Sequence, residues 1–217
     1  MIICLDAGHA INGAVGASGQ GYKEEVETRR IVAHLERKLN ALGHSVVICS
    51  CDNENNANRQ LEKIVNKANS VNADLFISIH LNSYSSSSAQ GVETFSFSDS
   101  GASHIYATKV QNEMVKLGYT NRGKKQANFY VLRKTKAPAI LVECGFITSP
   151  VDMKIYNPET IADKIVYGVT GKLPSEQTKN IFYRVFSGSF KNKENALKLQ
   201  NELRAKGYDS FIEVKEV

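Results

Sequence analysis

Three short apolar runs, each leading into a residue able to do chemistry, constrain this chain more than any other feature. Residues 2–5 read Ile-Ile-Cys-Leu and lead into Asp6-Ala7-Gly8-His9. Residues 75–79 lead into His80-Leu81-Asn82, and residues 139–144 carry Glu143 beside Cys144. Short continuous apolar runs suit strands buried on both faces. Between them the apolar spacing becomes helical. Ile31, Val32, Leu35, Leu39 and Leu42 predict a helix over 24–42 that stops at Gly43. Leu61, Ile64, Val65, Ala68 and Val71 predict another over 58–71. Further helices are expected over 103–117, ended by Gly118, and from Asn157-Pro158 to about Leu173. Residues 46–49, 92–97 and 129–132 read as further strands, and 8–21, 50–57 and 83–90 as loops.

Strands alternating with helices predict an α/β fold: a mostly parallel twisted sheet flanked by helices on both faces. In such sheets ligands bind beyond the carboxyl ends of the strands. Parallel strands therefore bring His9, His80 and Glu143 to one edge. Two histidines and a glutamate there are the ligand set of a zinc hydrolase. Glu143 is the most telling of the three, because a carboxylate flanked by Val142, Cys144 and Phe146 needs a partner or a task. A further ligand is expected from the start of the first helix. Spacing alone does not choose between Glu24, Glu25 and Glu27, since acids favour helix N-termini in any case.

The other candidates read as structural. His34, His44 and His104 fall on polar helix faces or turns. Cys144 is expected to point away from the site if Glu143 points into it, because neighbouring strand residues face opposite ways. Cys4, Cys49, Cys51 and Cys144 match no CxxC pattern and read as four reduced core thiols.

The chain has 217 residues, enough for one domain of ordinary size and a small appendage. The net charge of +5 suits a polyanionic partner. Its basic residues are scattered and Trp is absent, so nucleic acid is not the expected partner. No apolar run approaches the ~20 residues of a membrane helix. The first residues show no secretory signal, which leads to an expectation of synthesis in the cytoplasm. Residues 174–180 read as a linker. Beyond them a strand at 182–186, a helix over 193–205 and a strand over 208–214 form one expected β-α-β unit.

Taken together the motifs resemble the zinc-dependent N-acetylmuramoyl-L-alanine amidases of the amidase-3 type. The matching pieces begin with Leu5-Asp6-Ala7-Gly8-His9, Gly13 to Gly16, Lys23-Glu24 and Ile77 to Asn82. They continue with Gly91-Val92-Glu93, Asn121 to Lys124, Asn128 to Arg133 and Leu141 to Phe146, in the family's order over residues 1–173. The resemblance implies zinc held by His9, Glu24 and His80, with Glu143 as the catalytic carboxylate. Asn usually stands four residues after the ligand glutamate. Here Thr28 follows Glu24 at that distance and Arg29 follows Glu25, so Glu25 remains an alternative. The register with Ile31 and Leu35 favours Glu24. Ala7 stands where the family often has Pro.

The implied reaction is hydrolysis of the amide between N-acetylmuramic acid and L-alanine of the stem peptide. Glu143 would act as general base and then acid. Residues 181–217 resemble half of a SPOR domain, a ferredoxin-like module that binds peptidoglycan and its bare glycan strands. Half a module leaves an open sheet edge, which two tails pairing into a homodimer would complete; the alternative reading is that the unit packs on its own catalytic domain. The implied setting is the bacterial cell wall, reached after release by a holin or by lysis, as an endolysin or a mother-cell autolysin. Two other readings follow from the same residues: a non-catalytic wall-binding protein that keeps the fold, and a zinc peptidase or deacetylase.

Overall fold

The computed structural model describes residues 1–175, 187–208 and 210–214. It divides into two compact units, Met1–Ser175 and Glu176–Val217.

The first unit is built on a six-stranded sheet. Its strands are β1 (Ile2–Ala7), β4 (Ser45–Ile48), β5 (Leu75–Asn82), β6 (Val92–Ser96), β7 (Asn121–Gln126) and β8 (Ala139–Phe146). A two-stranded hairpin, β2 (Ser18–Gly19) with β3 (Tyr22–Lys23), interrupts the Gly-rich loop that follows β1. The helices are α1 (Glu24–Ala41), α2 (Ala57–Ser70), α3 (Gly101–Met114), α4 (Tyr130–Lys134), α5 (Pro150–Ile155) and α6 (Pro158–Thr170).

Across the sheet the order is β4-β1-β5-β8-β6-β7. Every pairing is parallel except that of β6 with β8, so the sheet is mostly parallel, as expected. One face carries Ile3, Leu5, Ile77, Ile79, Ile140 and Val142, in one core with residues of α1, α3 and α6. The other carries Cys4, Phe76, Ala139 and Leu141, in one core with residues of α2 and α4. Strands covered on both sides must be apolar throughout, which is why they read as runs rather than alternations.

Helix ends follow from local chemistry. The Asn157 side chain accepts from the backbone N–H groups of Glu159 and Thr160, and Pro158 supplies the first turn. Gly171 takes a left-handed conformation (φ 74°), so α6 ends at Thr170 rather than near Leu173. The helix ending at Met114 continues as one 3-10 turn, Val115–Leu117, before Gly118 (φ 97°) stops it.

Several expectations in this unit are corrected. Residues 129–132 are not a strand, because Tyr130–Lys134 form a short helix that buries Val131 and Leu132 against the second core. The strand is instead β7, whose sequence NRGKKQ carries no apolar signal. An edge strand paired on one side can be wholly polar, and charge there discourages further pairing. Helix α5 was also unforeseen; Ser149 caps it by accepting from the Asp152 N–H. Of the thiols, Cys4, Cys49 and Cys144 are buried, but Cys51 is only half-buried.

In the second unit the expected helix is present as α7 (Lys193–Ala205), capped by Asn192 and followed by Gly207 (φ 85°). The expected strand at 182–186 lies outside the described residues, as do residues 176–180 of the expected linker. Of the closing strand, Tyr208 and residues 210–214 are irregular, and Asp209 lies outside the description. The segment is tied to α7 at Ser210, whose carbonyl accepts from Gln200 Nε2 and Arg204 Nη2 at 2.9 Å each.

Candidate metal centre

The carboxyl ends of β1 and β5 lie side by side, with Ala7 in register with Ile79 and the Gly8 N–H donating to the Ile79 carbonyl at 2.9 Å. The next residues along are therefore Gly8 and His80. A Cβ on Gly8 would stand 2.3 Å from the His80 ring, so only glycine leaves space for that imidazole. His9 then takes a left-handed backbone (φ 65°), unusual for a residue with a side chain. Arg29 holds it there, donating from Nη2 to the His9 carbonyl at 2.8 Å and from Nη1 to the Gly8 carbonyl at 3.3 Å. The Thr28 hydroxyl also donates to Gly8, at 3.2 Å. Asp52 anchors the guanidinium from behind, accepting from Nε at 2.9 Å.

The start of α1 brings in Glu24. Its Oε2 lies 3.2 Å from His9 Nε2 and accepts from the Ala17 N–H at 3.0 Å. Its Oε1 lies 3.1 Å from His80 Nδ1 and accepts from the Leu81 N–H at 3.1 Å. One ligand atom from each of His9, Glu24 and His80 lies within 4.8 Å of the other two. A Cβ on Gly16 would press on both Glu24 and His9, at 2.7–2.8 Å, so this loop position too must be glycine. The neighbouring acids turn elsewhere. Glu25 accepts from the Gly16 N–H at 3.3 Å, and Glu27 pairs with Arg30 and accepts from the Tyr156 hydroxyl.

Electrostatics bind the cluster together. Burial alone would raise the Glu24 carboxyl, but the His80 and His9 imidazoles outweigh it and hold that carboxyl well below the usual range. Burial opposes the His80 imidazolium, yet the Glu24 carboxylate, with Glu143 and Asp6 near it, lifts the ring to about 9. A buried carboxylate between two imidazoles needs positive charge, which the raised His80 imidazole can supply. A divalent cation answers the same need, and two imidazoles with one carboxylate are the donors that suit zinc. The residues fit a metal.

Glu143 is in register with His80 on one side and with Glu93 on the other. His80, Glu143 and Glu93 thus form a row across β5, β8 and β6 on one face. Burial pushes the Glu143 carboxyl up to about 7; His80 opposes this, and Glu24 and Glu93 add to it. Its Oε2 is buried and without a hydrogen-bond partner among the described residues. Cys144 faces the opposite core, as alternation requires. His34, His44 and His104 are not brought to the cluster.

Two acids around the cluster lie in motifs quoted from the sequence but were given no role there. Asp6 is buried behind His80, one oxygen accepting from the Ser78 hydroxyl at 2.7 Å. Glu93 is buried and accepts from Asn82 Nδ2 at 2.6 Å, with Arg122 and Lys125 also on it. The signal for Glu93 was the same as for Glu143: an acid inside a strand, between Val92 and Phe95.

Residues 3–173 match the sequence family described as N-acetylmuramoyl-L-alanine amidase, and residues 161–212 match that described as SPOR domain. The two overlap on α6, whose Ile161, Ala162, Ile165 and Val166 are wholly buried in the core of the first unit. The chain is 32% identical to a sporulation-specific N-acetylmuramoyl-L-alanine amidase of Bacillus subtilis, over 99% of this chain and 85% of that protein. It is 31% identical to the amidase CwlM of Bacillus licheniformis, over 97% of this chain and 83% of that one. The solved N-acetylmuramoyl-L-alanine amidase of Clostridium difficile superposes with a TM-score of 0.71 at 31% identity, covering 78% of this chain and 95% of that one. The catalytic domain of the endolysin CD27L, targeting Clostridium difficile, gives 0.73 at 27% identity, covering 79% and 98%.

Proposed function

The chain belongs to the N-acetylmuramoyl-L-alanine amidase family, and from that membership and the site's geometry we propose a zinc-dependent hydrolase of peptidoglycan. Its bond is the amide between the lactyl group of N-acetylmuramic acid and L-alanine of the stem peptide. The observation that carries the mechanism is the row formed by Glu143 and His80 beside the His9–Glu24–His80 cluster.

His9, Glu24 and His80 would hold the zinc. When bound, zinc supplies Lewis acidity, making water a nucleophile near neutral pH and polarising a carbonyl. Arg29 and Thr28 fix the loop that carries His9, and the Leu81 and Ala17 N–H groups fix the Glu24 carboxylate. Glu143 takes the proton from the attacking water and hands it to the nitrogen of the leaving L-alanine. Burial raises its carboxyl above the usual carboxylate range, which favours taking up that proton. Residues 181–217 make up the wall-binding part, which the SPOR match supports.

Glu143→Gln tests this reading. The variant is expected to retain about one zinc per chain and to release no new L-alanine amino termini from purified peptidoglycan. Wild-type protein that carries zinc and binds wall, yet releases no such termini, would make the chain a wall-binding protein in an amidase fold. Release of other termini, or of acetate, would point instead to a peptidase or a deacetylase.

A further inference from the structure

The row that joins His80 to Glu143 does not end at Glu93. Two cationic side chains of β7 continue it outward. Arg122 Nε lies 3.3 Å from Glu93 Oε2, and Lys125 Nζ pairs with the same oxygen. Lys125 is in register with Phe95, which places it on the face that carries Glu93 and Glu143. A register shift between Val92 and Thr94 brings Arg122 beside Glu93. The Arg122 guanidinium is set by stacking on the Phe146 ring at 4.9 Å and by the Gln90 carbonyl at 3.5 Å from Nη1.

This arrangement is more than a salt bridge holding an edge strand. Glu93 is almost fully buried, and Asn82 Nδ2 already donates to its other oxygen. One carboxylate would be neutralised by one cation, and here two converge on it. Arg122 and Lys125 keep 35% and 42% of their side-chain surface open to solvent. A guanidinium has five N–H donors and an ammonium three, and Glu93 with Gln90 engages only a few of them. The other acid near Arg122 is Asp152, and its Oδ2 is engaged by the backbone N–H groups of Gly91 and Phe146 at 2.8 Å each. Donors therefore remain at the outer end of the row, directed at nothing else in the row.

We propose that Arg122 and Lys125 form a subsite for a carboxylate on the peptide arm of the substrate, positioned by Glu93. The inference rests on the amidase reading and deepens it. β7 lies two strand positions from β8, or about 10 Å at the ~4.8 Å spacing of neighbouring strands. That separation spans one to two residues of extended peptide at ~3.3–3.6 Å each, plus a side chain. A carboxylate one or two residues beyond the scissile amide would reach the two cations while the amide lies against Glu143. Arginine with lysine suits a carboxylate and has no comparable use for a neutral carboxamide.

The test compares N-acetylmuramoyl-L-alanyl-D-glutamate with its diamide, which differ only in carboxylate charge. For the wild-type zinc enzyme, kcat/KM is expected to favour the acid at least tenfold, through KM. In Arg122→Gln and in Lys125→Gln that ratio is expected to fall below threefold. The ratio is independent of how much of a variant folds, since misfolding scales both substrates alike. Equal use of acid and diamide by the wild type, or an unchanged ratio in both variants, overturns the subsite and leaves the amidase reading standing. Cleavage of neither compound, nor of intact peptidoglycan, overturns both.

Discussion

The guanidinium of Arg29 donates to the backbone carbonyl of His9 at 2.8 Å, and so holds a histidine of the candidate metal centre in a conformation that its own side chain disfavours. Thr28 and Arg29, four and five residues after Glu24, both bond the Gly8 carbonyl. Arg29→Met removes the hold on the His9 carbonyl and leaves Gly8 to Thr28 alone. Zinc affinity is expected to fall about 10–100-fold, as for other residues that orient metal ligands. Competition with a chromophoric chelator measures it; an unchanged affinity would show that the loop holds His9 without Arg29.

Gly8→Ala and Gly16→Ala test how closely the loop packs on the cluster. In Gly8→Ala the new methyl meets the His80 ring, and in Gly16→Ala it meets Glu24 and His9. Relief requires the ligands to move, at a cost of about 1–3 kcal/mol. Both variants are expected to purify with less than half the wild-type zinc while far-ultraviolet circular dichroism stays native. Full zinc occupancy in either would mean that the loop yields without disturbing the ligands.

The metal-free protein should lose stability as pH rises. His80 holds its proton in the fold up to about 9, against 6.5 in the unfolded chain. Its contribution is complete below pH 6.5 and is lost as pH rises through 9. Glu143, raised from 4.5 to about 7, acts in the same direction at lower pH. Between pH 6 and 9 the chelator-treated protein is expected to lose on the order of 2–3 kcal/mol. Zinc replaces the proton as counter-charge to Glu24, so the loaded protein should lose less. Urea denaturation at several pH values, with and without zinc, decides; parallel curves would contradict the exchange.

Truncation separates the two units. A chain ending at Ser175 keeps the sheet, all six of its helices and the cluster. It is expected to cleave a soluble muramoyl peptide within twofold of the full chain, and to bind wall less tightly. Binding of the full chain, with its net charge of +5, should weaken between low and high salt. Pulldown with purified sacculi reads both effects. Sedimentation of the full and truncated chains over micromolar concentrations tests tail pairing. A full chain that stays monomeric would exclude the homodimer.

Much of the site was legible because its residues sit at the ends of strands whose apolar runs are unmistakable. His80 and Glu143 could be placed on one sheet edge from sequence, since burial on both faces forces such runs and parallel strands end together. Spacing alone did not choose among Glu24, Glu25 and Glu27, although the resemblance and the register with Ile31 and Leu35 favoured Glu24. All three are buried within the first turn of α1, and only the path of the loop from His9 to Gly16 decides which faces the histidines. The second unit was legible as a helix between Asn192 and Gly207, where capping is local.

The sequence by itself determined the α/β class, the parallel core strands, most helix limits and the two histidines that the structure brings together, because periodicity, caps and apolar runs act over a few residues. Only the tertiary structure decided the strand order, the polar edge strand β7, the short helix at Tyr130–Lys134 and the row from His80 through Glu143 and Glu93 to Arg122. Those features depend on which strands pair and in what register. That pairing is set by contacts between residues as many as 72 positions apart, such as Ala7 and Ile79, so no local pattern encodes it.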